Sequence, residues 1–319
     1  MSLELNFRAP YNNTRMQSDR GVDKNMIFSV SKGKRLYIFS FLLLFLALPV
    51  QAASPVWEIE KSGNRIFLGG TIHVLTPEDY PLPAAFEDAY NRSTQVVFET
   101  DMVKMESLEF QQFMLSELTY SDGRNLQQVL SKETYLAVVE FFAIRGVPIT
   151  SIVNFKPGMI VTIMTITELQ RLGLVGVGVD TYFTEKTIDD QKKRGQLETA
   201  EEQVEIIAKM GIGKEDELLA YNLADMERLS SLWQLMKGAW RNGDMLKLDE
   251  IAIAPLKNDF PELYQSILIE RNNAWIPQIE GFLNTKEIEL VLVGAAHLAG
   301  EGSLLSKLSA RGYKIRQLP

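Results

Sequence analysis

Two copies of one short motif constrain the fold of this chain more than any other feature. Each copy is an apolar, strand-like run that contains Gly-x-x-His: FLGGTIHVL at Phe67–Leu75 and VLVGAAHLA at Val291–Ala299. His73 and His297 are the only two histidines among the 319 residues. Open sheets bind ligands beyond the ends of their strands, so a histidine that follows a strand lies where a site can form.

The glycines of the two motifs, Gly70 and Gly294, lie three residues before the histidines. A glycine at a strand end lets the backbone turn sharply or approach another group closely. Histidine is the commonest metal ligand and the usual acid or base near neutral pH. We therefore expect His73 and His297 to meet in one site. The alternative is that each is a hydrogen-bonded core residue at a strand end.

The predicted strands lie near both ends of the chain, and the middle is helical. Alternating or continuous apolar runs predict strands at Val56–Glu60, Arg65–Thr71, Gln95–Thr100, Glu289–Gly294 and Tyr313–Leu318. Apolar spacing of three and four residues predicts helices that include Met105–Leu118, Lys132–Arg145, Met159–Leu172, Glu201–Met210 and Glu215–Arg241. For the two histidines to meet, the terminal strands must share a sheet. We predict the α+β class, with a central mixed β-sheet formed by N- and C-terminal strands, flanking helices and a large helical middle, in one domain over 53–319.

Two acidic residues follow the third predicted strand. Glu99 and Asp101 are two positions apart, so they lie on one face of an extended chain and fit a metal or acid–base role. The alternative is a solvated strand end in which Asp101 caps a helix. Further along, the glycine-dense segment 173–178 lacks the G-x-G-x-x-G order of a nucleotide loop. Asp180 follows it and is expected to cap a helix over Thr181–Asp190.

The N-terminal region has the pattern of a secretory signal peptide. Basic residues at Lys32–Arg35 precede the uncharged apolar run Leu36–Val50, and small residues follow. We predict a signal peptide over 1–52 that is cleaved near Ala52, with 1–25 a start-site artefact if Met26 is the true start. The protein would then be exported, to the periplasm or the extracellular space, with no stable membrane span after cleavage. The alternative is an N-terminal membrane anchor.

Composition excludes several classes of function. The chain has no cysteine, which excludes disulfides, thiolate catalysis and cysteine-type zinc sites. Its net charge of −8 argues against nucleic acid and anionic membrane surfaces as partners. The polar run Glu270–Asn273 between apolar helical segments is typical of a solvated stretch.

Six segments taken together resemble the TraB/GumN family. They are FLGGTIHVLTPEDYPLP, VVFETD, GVGVDTYF, GQLETAEEQ, ERNNAW and LVLVGAAHLAGEGSLLSKLSARGY, and the resemblance runs from about Val56 to Pro319. The family includes the PrgY pheromone-shutdown proteins and is similar to the animal Tiki metalloproteases. It is related to erythromycin esterase-like and ChaN-like folds, which have a central sheet flanked by helices.

The resemblance implies a metal-dependent hydrolase. The family's paired Gly-x-x-His histidines fall on His73 and His297, and its strand-end acidic residue falls on Glu99. Its Glu-Arg-Asn motif falls on Glu270–Asn272, and its Leu-Glu-Thr motif falls on Leu197–Thr199.

We therefore expect a secreted hydrolase, most simply a peptidase, with His73, His297 and Glu99 around a divalent metal. Two imidazoles and a carboxylate suit Mn²⁺, Co²⁺ or Zn²⁺, and such an ion activates a bound water. Glu99 would be the third ligand or the general base, and Arg271 would steady the oxyanion or a substrate carboxylate.

Gly70, Gly294, Asp101 and Asn272 are expected to support this site. A metal-independent version, in which one histidine is the base and Glu99 holds it, stays open. So does a second class of function, in which the protein binds and sequesters a peptide or pheromone signal without cleaving it.

Overall fold

A computed structural model describes residues 53–319 of the chain. The predicted signal peptide over 1–52 lies outside the described residues, so export and cleavage stay predictions. Within the described part the strands form one six-stranded sheet in the order β4-β3-β5-β2-β1-β6. The strands are β1 Val56–Lys61, β2 Asn64–Thr71, β3 Gln95–Phe98, β4 Lys193–Gln196, β5 Glu289–Gly294 and β6 Lys314–Gln317. Parallel and antiparallel pairs both occur, and the predicted α+β class with a mixed sheet is confirmed.

The first two strands form the predicted hairpin. They pair antiparallel from Val56 opposite Gly69 to Lys61 opposite Asn64. The turn residues Ser62 and Gly63 both have positive φ, 54° and 87°, as the tight turns that match the twist of a hairpin require. β1 also pairs antiparallel with β6, so the last strand of the chain closes this edge of the sheet.

The two motif strands are neighbours in the sheet. β2 and β5 run parallel, with Gly70 opposite Val293 and Thr71 opposite Gly294. β3 runs parallel to β5 on its other side. Since parallel strands end at the same edge of a sheet, the segments that follow β2, β3 and β5 emerge side by side. This edge carries both histidines and Glu99.

Helices make up most of the rest. Their bounds are α1 Ala84–Arg92, α2 Met102–Met105, α3 Leu108–Glu117, α4 Leu126–Val129, α5 Lys132–Ala143, α6 Pro157–Arg171, α7 Val179–Asp189, α8 Ala200–Lys209, α9 Glu215–Met226, α10 Leu229–Arg241, α11 Met245–Leu248, α12 Ala254–Asp259, α13 Pro261–Tyr264, α14 Arg271–Phe282 and α15 Leu304–Ala310. A π-helical segment, Gln265–Glu270, joins α13 to α14, and another, Asp249–Ile253, joins α11 to α12. In residues 53–319 no helix combines the length and apolar character needed to cross a bilayer.

The inner strands β1, β2, β3 and β5 are buried on both faces, and neighbouring apolar residues along them belong to two different clusters. Phe67 and Leu292 pack with Phe86 of α1 and Trp240 of α10. Their neighbours Leu68 and Val293 belong to a second cluster with α14 and α15, and this cluster includes Trp275. The helical middle forms separate clusters, one around α5, α6 and α9 and one around α3 and α8.

Three expectations differ from the structure. The helix predicted over Glu215–Arg241 is two helices, α9 and α10, that break at residues 227 and 228. The strand β4 was not predicted, because its sequence KRGQ is polar and has no apolar pattern. It lies at the edge of the sheet and pairs with β3. Asp180 does not cap a helix: α7 begins at Val179, its N-cap residue is Gly178, and the Asp180 side chain bonds elsewhere.

Candidate functional site

Glu99 follows β3 and joins the ends of two strands. Its Oε1 accepts a 2.6 Å hydrogen bond from the backbone N–H of Gly294, the last residue of β5. A Cβ atom at position 294 would lie 3.2 Å from this oxygen, which is tight for a side chain. The glycine of the second motif therefore allows the carboxylate of Glu99 to lie against the backbone beside His297.

Arg271 is the centre of the buried cluster. Its Nη2 lies 2.6 Å from Oε2 of Glu99 and 2.6 Å from Oε1 of Glu198, and its Nε lies 3.0 Å from Oε2 of Glu198. Its Nη1 donates to Nε2 of His297 at 3.0 Å and to the carbonyl oxygen of Ile267 at 3.3 Å. These contacts occupy all five N–H donors of a guanidinium. To bind a substrate oxyanion, Arg271 would have to release one of these partners.

His297 is a buried, neutral member of this cluster. Arginine can only donate, so Nε2 of His297 is the acceptor, and Nδ1 carries the proton. That nitrogen donates to Oδ1 of Asn272 at 2.7 Å, and Asn272 in turn donates to the carbonyl oxygen of Gly302. The ring also lies against Trp275, with centroids 4.5 Å apart. Both ring nitrogens are therefore used within the protein.

His73 has the opposite environment. Its side chain is 71% exposed, and its Nδ1 lies 2.8 Å from Oδ2 of Asp180. A carboxylate can only accept, so Nδ1 is the donor and Nε2 is the nitrogen left for a ligand. The two histidines occupy equivalent positions in the motifs, but only His73 offers a nitrogen to the solvent.

Two glycines of the dense segment bring Asp180 to His73. A Cβ atom at Gly178 would overlap with the carbonyl oxygen of His73, and one at Gly176 would overlap with that of Leu75. The N–H of Val179 donates to the carbonyl oxygen of Ile72 at 3.0 Å. The backbone before α7 thus packs directly against the loop that carries His73, which explains why this stretch is rich in glycine.

The surroundings of His73, His297 and Glu99 shift the pKa values of these side chains in different directions. The charge of Asp180 raises the pKa of His73 to about 9. Burial lowers the pKa of His297 to about 4. Burial alone would raise the pKa of Glu99, but the positive charges of His297, Arg271 and His73 lower it to about 2. Because His297 is neutral above pH about 4, Arg271 is the nearest permanent cation for Glu99. Burial raises the pKa of Glu198 above its ordinary value.

A cavity of about 420 Å³ opens over these groups. Ligand pockets are commonly about 300–1,000 Å³, mostly apolar, with a few converging polar groups. Here the polar lining residues are His73, Glu99, Thr100, Asp180, Thr181, Gln203 and Arg271, and the apolar ones are Phe98, Met102, Met105, Ile206, Ile207, Met210 and Ile267. The combination of strongly shifted pKa values with a cavity is typical of a functional site.

The expected metal ligands do not offer an open cation position in this arrangement. Nε2 of His297 faces the guanidinium of Arg271, and both oxygens of Glu99 already accept hydrogen bonds. Over residues 53–319 no three His, Asp or Glu side chains are grouped as a metal-binding set. The side chains as placed fit a guanidinium between Glu99 and His297 rather than a divalent ion. Binding of Mn²⁺, Co²⁺ or Zn²⁺ stays a prediction.

The supporting residues are distributed as follows. Gly294 and Asn272 belong to the cluster. Gly70 lies at the end of β2, where its carbonyl oxygen accepts from Nε1 of Trp240 at 2.7 Å. Asp101 lies outside the cluster, because its carboxylate caps α2 by accepting from the N–H groups of Val103 and Lys104. This is the capping alternative considered from the sequence.

Two residues were given no site role from the sequence. Asp180 was expected at a helix cap, and the signal for its contact with His73 was the glycine-dense stretch just before it. Glu198 stands in the Leu-Glu-Thr motif, after a strand too polar to be recognised. Its neighbour Leu197 donates its N–H to the backbone of Phe98 and Glu99, which draws Glu198 to Arg271.

The comparison with protein families agrees with the resemblance noted from the sequence. No curated protein and no solved structure matches this chain. A family model described as the TraB/PrgY/gumN family matches residues 55–317, which is most of the chain. The chain therefore belongs to the TraB/PrgY/gumN family.

Proposed function

We propose that this chain is a hydrolase in which His73 and Asp180 form the acid–base pair, and that its substrates are peptides. The observation that carries the proposal is that the His73–Asp180 pair and the Glu99–Arg271 pair line one cavity with largely apolar walls. A histidine held by a carboxylate through Nδ1, with Nε2 free, is the arrangement that serves general acid–base chemistry on several unrelated folds.

In the proposed reaction, Nε2 of His73 takes a proton from a water molecule as the water oxygen attacks the substrate carbonyl carbon. The bond from Nδ1 to Asp180 keeps the ring oriented and stabilises the imidazolium that forms. His73 then returns the proton to the leaving nitrogen as the C–N bond breaks, which yields an amine and a carboxylic acid that keeps the second proton of the water. Positioned proton transfer of this kind contributes about 10²–10⁴-fold to the rate.

The buried cluster has a different part in the proposal. Arg271, Glu99 and Glu198 together carry one net negative charge, and neutral His297 adds none. Within the cluster, the charge of Glu99 raises the pKa of His73, and Arg271 lowers it by less, so the imidazolium form of His73 is favoured. Arg271 and His297 are therefore positioning residues here, and of the two Arg271 lines the cavity.

Cleavage of a peptide library by the purified protein, followed by mass spectrometry, tests the proposal. We expect cleavage that persists in excess chelator and falls about 10²–10⁴-fold in His73→Ala. Ile144→Lys is the matched control, since Ile144 is 74% exposed and lies outside the cavity. The metal content of the same preparation is measured in parallel.

The other outcomes discriminate between the remaining functions. Activity that chelator abolishes and Mn²⁺, Co²⁺ or Zn²⁺ restores would favour the metal-dependent hydrolase that the family resemblance implies, with Arg271 displaced from its present contacts. Peptide binding without any cleavage would contradict the hydrolase and favour the sequestering function.

A further inference from the structure

We infer that the cavity selects substrates with a bulky, uncharged apolar side chain, such as leucine, methionine or phenylalanine, beside the bond that is cleaved. The inference rests on the proposed function for the cleavage step, but the ligand class follows from the cavity walls alone. It concerns the wall formed by α2 and α8, defined by five half-buried residues: Met102, Met105, Ile206, Ile207 and Met210.

Helix α8 has one face buried in the core and another that lines the cavity. Ala200, Val204 and Ala208 repeat every four residues and are buried. A second stripe, formed by Gln203, Ile206 and Ile207 of α8 and by Met210 just after it, lines the cavity. A surface helix in a globular protein normally needs one apolar stripe. Ile206, Ile207 and Met210 of this stripe line the cavity, and Ile207 also packs against the core cluster around α3 and α8.

The rest of this wall comes from the short helix α2. Met102 and Met105 line the cavity, whereas Asp101 is the N-cap residue of α2 and does not line it. Nζ of Lys104 in α2 lies 2.5 Å from Oε1 of Glu201 in α8, and this ion pair joins the two helices of the wall. Both charges thereby have a partner. Methionine side chains are flexible and polarizable, so this wall can adapt to apolar groups of different shapes.

Each charged side chain that lines the cavity has a charged partner. Asp180 pairs with His73, and Arg271 pairs with Glu99. A charged substrate side chain placed against the α2–α8 wall would lose its hydration without gaining a partner, which is unfavourable. An apolar side chain gains roughly fourfold in affinity for each methylene that it buries. A cavity of about 420 Å³ lies at the lower end for ligand sites, so it fits a short segment of a peptide rather than a folded domain.

The test uses a fluorescent peptide series that varies one residue among Leu, Phe, Ala, Asp and Lys. The dissociation constant is measured with His73→Ala, and kcat/KM is measured with the unaltered full chain. Leucine has three carbons more than alanine, so we expect the leucine peptide to exceed the alanine peptide about 10- to 60-fold in both quantities. The aspartate and lysine peptides should fall below alanine.

Ile206→Lys places a cation on the wall at a position that the core does not use. We expect it to reduce the leucine preference at least 10-fold and to make the aspartate peptide the preferred one. Ile206→Ala should reduce the leucine preference without creating the aspartate preference. Ile144→Lys should leave the preference unchanged, because it adds the same charge on an exposed surface away from the cavity.

Equal binding of all five peptides, or a preference for charged ones in the unaltered protein, would overturn the inference. The results distinguish failure of this inference from failure of the proposed hydrolase function. Cleavage without side-chain preference contradicts the inference alone, whereas apolar preference in binding without cleavage contradicts the hydrolase alone. Loss of binding with neither preference nor cleavage contradicts both.

Discussion

Nδ1 of His73 lies 2.8 Å from Oδ2 of Asp180, a residue 107 positions later in the chain. The Asp180 side chain is buried, whereas the His73 side chain is mostly exposed. The surrounding protein therefore fixes the carboxylate of Asp180, and this carboxylate in turn orients the imidazole of His73. This relationship makes the two histidines of the chain chemically different. His73 carries a raised pKa and a free Nε2, and His297 carries a lowered pKa and no free nitrogen.

Asp180→Asn should lower the pKa of His73 from about 9 toward the ordinary 6.5, because the amide keeps a polar contact but removes the negative charge. NMR titration of the imidazole protons measures this directly, since the chain has two histidines. His297 is the internal control and should not titrate until pH about 4. If His73 kept the same midpoint in Asp180→Asn, Asp180 would not be the cause of the raised pKa.

The same pKa predicts the pH dependence of the proposed reaction. A general base acts in its neutral form, so kcat/KM should rise with pH and level off near pH 9, where His73 loses its proton. In Asp180→Asn the plateau should begin at lower pH, and its height should fall because the ring is no longer held in one tautomer. A profile that falls between pH 7 and 9 would contradict the assignment of His73 as the base.

Arg271→Met should destabilise the fold by about 3–5 kcal/mol at pH 7, because it leaves Glu99 and Glu198 buried without their cation. Urea unfolding measures the loss. The lowered pKa of Glu99 means that its stabilising contribution is present above the unfolded pKa near 4.5 and disappears as the pH falls toward 2. The difference in free energy of unfolding between Arg271→Met and the unaltered protein should therefore become smaller as the pH falls toward 2.

Adding Glu99→Gln and Glu198→Gln to Arg271→Met is the control for this result. The triple variant removes the uncompensated charges and should recover much of the lost free energy of unfolding. No recovery would indicate that Arg271 acts through packing against Trp275, whose ring lies 4.7 Å from the guanidinium carbon.

Asn272→Asp should raise the pKa of His297 from about 4, because a carboxylate beside Nδ1 favours the charged ring. The imidazole NMR titration reports the change, and the midpoint of His73 should move much less. An unchanged midpoint for His297 would show that Asn272 does not hold Nδ1 in solution.

Gly178→Ala should destabilise the protein by about 1–3 kcal/mol and disturb the His73–Asp180 pair, because the new methyl group overlaps with backbone atoms of His73. Gly281→Ala is the matched control. Gly281 lies inside α14 with no atom near its Cβ position, so alanine there should be neutral or stabilise by up to about 1 kcal/mol. Thermal unfolding compares the two. Equal changes in stability for the two variants would mean that the close contact at Gly178 does not contribute to stability.

The sequence by itself determined the class of fold and the edge of the sheet at which the candidate site lies. The two Gly-x-x-His strands are buried and continuous, and such strands pair in the interior of a sheet whatever their separation along the chain. Once β2 and β5 are parallel neighbours, His73 and His297 must follow at the same edge, and Glu99 joins them from β3. Family membership was readable from these and the other matching segments, and the family match over residues 55–317 agrees.

Only the tertiary structure decided what each residue at that edge does. Two histidines in matching motifs are indistinguishable in the sequence. In the structure Arg271 and Asn272 of α14 occupy both ring nitrogens of His297. Asp180 of α7 contacts only Nδ1 of His73, so Nε2 stays available. The polar strand β4 carries no apolar pattern, so the approach of Glu198 could not be predicted. Burial and hydrogen-bond partners set the pKa of an ionisable group, and both depend on which distant segments pack together.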